Sequence, residues 1–89
     1  MIVKFIEVYK DLDRYKMREV GVNPGFVVCT RDDRAIQVNL SEGKLPEGLD
    51  PRQEFTKIIL DRGHGYAITV VGNTETVNKQ LNQKKILKG

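Results

Sequence analysis

Tryptophan is absent from this chain, histidine and cysteine occur once each, and proline occurs three times in 89 residues. Each scarcity excludes something. A lone cysteine, Cys29, cannot form an internal disulfide, and its place in the apolar run Phe26-Val27-Val28-Cys29 predicts a small buried side chain in a reducing, cytoplasmic setting. One histidine with one cysteine falls short of the usual zinc ligand set, and the pairs around Asp11-Leu12-Asp13 and Asp32-Asp33 sit where turns want aspartate anyway, so no metal is expected. No stretch approaches the roughly 18 consecutive apolar residues of a membrane span. The start, Met1 to Glu7, meets a glutamate where a secretory signal needs an unbroken apolar region. Charge of one sign is also scarce. Residues 1–75 hold 11 basic and 12 acidic side chains, and the net charge of +3 comes from Lys79, Lys84, Lys85 and Lys88 near the end.

What is present is the composition of a folded domain, with 39% hydrophobic and 30% charged residues. Eighty-nine residues support one core, so residues 1–89 are read as a single domain. Ile2 to Tyr9 carries β-branched and aromatic residues on both faces, as a strand with neighbours on each side requires. Tyr15 to Val22 reads as a second strand. Asn23-Pro24-Gly25 ends it in an expected type II turn, and Phe26 to Thr30 resumes as a third. Ala35 to Leu40 alternates Ile36, Val38 and Leu40 with Gln37 and Asn39, which predicts a half-exposed strand. A loop spans 41–52. Phe55 to Leu60 and Tyr66 to Val71 form a hairpin around Arg62-Gly63-His64-Gly65, followed by a helix that Asn73 or Thr74 caps and that turns Val77 and Leu81 inward. The expected fold is α+β and β-rich: a small, bent antiparallel sheet of five or six strands with one C-terminal helix, and a basic tail over 83–89 that either frays or docks elsewhere.

No catalytic constellation is visible. A nucleophile needs an oriented base, and His64 stands between two glycines at a hairpin tip, where an exposed turn residue is the simpler reading. Gly63-His64-Gly65 lacks the longer loop ending in Lys and Ser or Thr that cradles phosphates. No enzyme activity and no cofactor are expected.

Three binding surfaces remain. Leu45 and Leu49 in the long loop, with Ile86 and Leu87 in the tail, either pack on their own domain or meet a protein partner or a second copy, which makes a homo-oligomer an expectation. Lys79, Lys84, Lys85 and Lys88 either solubilise a helix end, the plainer reading, or contact nucleic acid phosphates. Arg14, Arg18 and Arg62 with Tyr66, and with Tyr9 and Tyr15 nearby, can form an aromatic and basic surface for a small anionic ligand or nucleotide. Strand tyrosines that bridge core and solvent are the plainer reading of that set.

The strand ending in Val22-Asn23-Pro24, the hairpin Thr56-Lys57-Ile58-Ile59-Leu60 with Tyr66-Ala67-Ile68-Thr69-Val70-Val71, and the capped Asn73-Thr74-Glu75-Thr76-Val77 together resemble the small bacterial FlbD-like proteins. The match runs over residues 2–30 and 55–82, with 32–54 as an insertion carrying an extra strand and the long loop. The resemblance implies a small accessory or regulatory factor without enzymatic chemistry, from a bacterium or one of its viruses, acting through protein contacts.

Overall fold

The computed structural model describes residues 1–46, 48–61 and 66–86, with the backbone alone for residues 41 and 83–86. Five antiparallel strands form one sheet: β1 (Val3–Asp11), β2 (Arg14–Val22), β3 (Val27–Asp32), β4 (Phe55–Leu60) and β5 (Tyr66–Val71), in the order β2-β1-β5-β4-β3. Two helices accompany them, α1 (Arg34–Ser41) and α2 (Thr74–Ile86). The expected β-rich α+β fold with a C-terminal helix is present. β1 is an interior strand paired with β2 and β5, as its two apolar faces require.

The two faces of the sheet have separate cores. Val3, Phe5, Ile58, Ile68 and Val70 pack with Val77 and Leu81 of α2. Val8 and Phe55 point the other way and pack with Ile36 of α1 and with Leu45. The first cluster also takes in Val20 and Val22 from one edge strand and Val27 from the other, so the sheet curls around the α2 face. Side-chain hydrogen bonds fix α2 there. Thr30 Oγ1 donates to Asn78 Oδ1 at 2.6 Å, Thr74 Oγ1 donates to Asp32 Oδ1 at 2.5 Å, and Asn73 caps the helix through Thr76 N at 2.7 Å.

Three expectations need correction. Residues 35–40 are not a strand: α1 occupies the segment, so the 32–54 stretch adds a helix and a loop. Ile36 and Leu40 are four apart and share a helical face as well as a strand face; only Val38, 55% exposed, distinguishes the two periods. The helix wins because Asp33 accepts from Ile36 N at 3.2 Å as its N-cap. At the other end Glu42, Gly43 and Lys44 donate to the carbonyls of Val38, Leu40 and Asn39, with Gly43 at φ +76°.

The turn at Asn23 falls where expected but is a 3-10 turn over Pro24–Phe26. Phe26 N donates to Asn23 O at 3.0 Å, the Asn23 side chain accepts from Gly25 N at 2.9 Å, and Gly25 is not among the glycines at positive φ.

Cys29 is exposed, not buried. The ladder shifts by one residue between Val27 and Cys29, which leaves Val28 as the extra residue and pairs Cys29 with Ile59, away from the α2 core.

Candidate binding surface

Strand order creates one discontinuity. Each strand lies beside its neighbour in sequence, and β5 returns to pair with β1, but no ladder joins β2 to β3 among the described residues. β2 and β3 are the two edges of an open sheet, joined end to end by the 3-10 turn, and the place where that turn leaves β2 is a seam in the fold. Both edge strands therefore keep one unpaired backbone edge.

A cleft of about 480 Å³ lies at this seam, lined by Ile2, Val20, Val22, Phe26, Leu60 and Tyr66 among others. Phe26 is 57% exposed, Ile2 56% and Tyr66 42%, large apolar surfaces that the fold leaves uncovered. Gly21 permits this arrangement, since a Cβ there would stand 2.5 Å from Ile2 Cγ2. Asp61 is the one charged residue among the described residues of the lining. The Asp61 N–H is already used, donating to Phe26 O at 2.8 Å.

Buried polar groups elsewhere serve the fold. Glu7, 6% exposed, accepts from Arg18 Nε at 2.9 Å, and the Arg18 guanidinium lies 4.0 Å from the Tyr9 ring centroid. The hydrogen bond to Glu7, helped by the charges of Glu7, Tyr9 and Tyr66, raises the Arg18 pKa above its ordinary value against the opposing effect of burial. Asp33 receives both the Ile36 amide and the Thr69 hydroxyl, the latter at 2.6 Å. Among the described residues no three His, Cys, Asp or Glu side chains gather as a metal site, and no helix is long and apolar enough to cross a membrane.

The expected contact residues are dispersed. Leu45 is buried in its own core and Leu49 packs against the same cluster, so the loop closes on its own sheet. Leu87, Lys88, Arg62 and His64 lie outside the described residues, as do the side chains of Lys84, Lys85 and Ile86, although the α2 backbone continues to Ile86. Lys79 is exposed on α2. The proposed anion-binding set is divided: Arg14 lines a second cleft with Tyr15, Arg18 is committed to Glu7 and Tyr9, and Tyr66 belongs to the seam. Sequence reading missed Ile2 and Phe26, which look like ordinary strand residues until the strand order is known. No protein-family model, curated protein or solved structure matches the chain.

Proposed function

We propose that the chain is a non-enzymatic protein-binding module that takes an extended polypeptide segment along the unpaired edge of β2, at the seam where the 3-10 turn leaves it. The observation that carries this reading is the coincidence of the unpaired edge of β2 with the half-exposed Ile2, Phe26 and Tyr66 around one apolar cleft. Strand edges supply main-chain hydrogen bonds and the cleft supplies side-chain selectivity, the division of labour in β-strand addition. Asp61 in the lining favours a ligand segment that is apolar with a Lys or Arg beside it.

Self-association is the special case in which a second copy supplies the strand. The wider reading is an accessory or regulatory factor of the cytoplasm, in keeping with the single unpaired Cys29 and with the resemblance to FlbD-like proteins.

Selection of displayed random 12-residue peptides on the immobilised full chain tests the proposal. Enriched peptides should be apolar with a basic residue and should lose binding to Phe26→Asp while still binding Lys79→Ala. Failure to enrich any peptide, or enrichment of peptides indifferent to Phe26→Asp, would overturn it. Light scattering of the two proteins reads the self-association arm: a dimer that Phe26→Asp converts to monomer places the second copy in the seam.

A further inference from the structure

A second cleft, of about 430 Å³, lies between the tip of the β1–β2 hairpin and the end of α1 with its following loop, and is unlike the first. Its described lining residues include Lys10, Arg14 and Lys44, with Asp13 the one carboxylate among them. Among the described residues, Asp11 holds Lys16 at 2.8 Å and Glu42 holds Lys44 at 3.2 Å. That second pair is solvent-exposed, so it contributes little and is readily exchanged for a stronger anion. The Arg14 guanidinium has no partner among the described residues, and the Lys10 ammonium sits 5.9 Å over the Tyr15 ring without a carboxylate.

Tyr15 adds a directed donor. Its hydroxyl, half-buried at the cleft, accepts from Asn39 Nδ2 at 3.0 Å, and no described acceptor takes its own proton. The carbonyls of Val38, Asn39 and Leu40 near the end of α1 accept from Glu42, Lys44 and Gly43. Leu45 and Pro46 provide an apolar wall beside the charges.

We infer that this cleft is a binding site for a phosphate-class oxyanion, held by Arg14, Lys10 and Lys44 with the Tyr15 hydroxyl as a fourth donor. A planar guanidinium with free donors matches two phosphate oxygens at once, and two lysines in the same lining, one of them in an exchangeable exposed pair with Glu42, suit an anion of two or more charges. The volume falls within the roughly 300–1,000 Å³ of small-ligand sites, and the apolar wall leaves room for the organic part of a phosphate monoester.

The test is titration of the isotopically labelled full chain with inorganic pyrophosphate and, separately, phenyl phosphate, at ionic strength held constant with sodium chloride. Saturable amide shifts at Lys10, Arg14, Tyr15, Asn39 and Lys44 are expected. Affinity should fall at least tenfold in Arg14→Ala/Lys44→Ala and also fall in Tyr15→Phe, which keeps the ring, while Lys79→Ala leaves it unchanged. Tighter binding of phenyl phosphate would identify an ester as the ligand, and tighter binding of pyrophosphate the free anion. Shifts that never saturate, or that persist unchanged in the double variant, would overturn the inference.

Discussion

Asp33 decides what residues 34–41 become, and its removal has a calculable cost. The side chain, in a residue only 7% exposed, accepts from Ile36 N at 3.2 Å and from Thr69 Oγ1 at 2.6 Å, so it caps α1 and ties that helix to β5. Asp33→Ala removes an N-cap, about 0.5–2 kcal/mol, and a hydrogen bond to a charged acceptor, about 1.5–3 kcal/mol. The total of about 2–5 kcal/mol is a large part of the roughly 5–13 kcal/mol expected for a domain of this length. Asp33→Asn keeps the cap through its single oxygen, while its Nδ2 takes the place of Oδ2 and can only donate to the Thr69 hydroxyl, so it should cost less than Asp33→Ala but more than nothing. Thr69→Val tests the other half, and the Asp33→Ala/Thr69→Val cycle should show coupling above about 0.5 kcal/mol because the two groups touch. Urea unfolding followed by circular dichroism, compared at equal m-values, measures all four proteins. A loss below about 0.5 kcal/mol in Asp33→Ala, or strict additivity in the cycle, would refute the account of why this segment is a helix.

Three further outcomes are expected. Leu12, 90% exposed at φ +58° in the β1–β2 turn, holds a conformation suited to glycine, so Leu12→Gly should stabilise by about 0.5–1 kcal/mol in the same urea assay. Cys29 should react with a thiol reagent at the rate of an accessible cysteine in the native protein; a rate limited by unfolding would contradict its place beside the β3 bulge. Arg18→Ala leaves the buried Glu7 carboxylate without its cation and should lower the urea midpoint, with Glu7→Gln/Arg18→Ala recovering part of the loss.

The parts of the fold that were legible in the sequence are those whose signals are local. The β4–β5 hairpin alternates cleanly, with Ile58 opposite Ile68 on the buried face, and α2 announces itself through Asn73 and the four-residue step from Val77 to Leu81. α1 was illegible because Ile36 and Leu40 satisfy both periods and its cap, Asp33, also reads as a turn residue. The Cys29 error came from a bulge, which composition does not reveal. The candidate surfaces were the least visible, because neither has a local motif. The seam exists only because β5 returns to β1, and Lys10 meets Lys44 only because the α1 loop folds back on the first hairpin. Arg14 was anticipated as an anion ligand, but its companions there are Lys10 and Lys44, not Arg18 and Tyr66.

Amide hydrogen exchange of β2 and β3, measured with and without a peptide selected on the chain, tests the open seam most directly. In the free protein the outward amides of both edge strands should exchange rapidly, and binding should slow those of one edge strand together with amides beside Phe26. Slow exchange along both edges before any peptide is added, or protection that appears only on the α1 face, would contradict it.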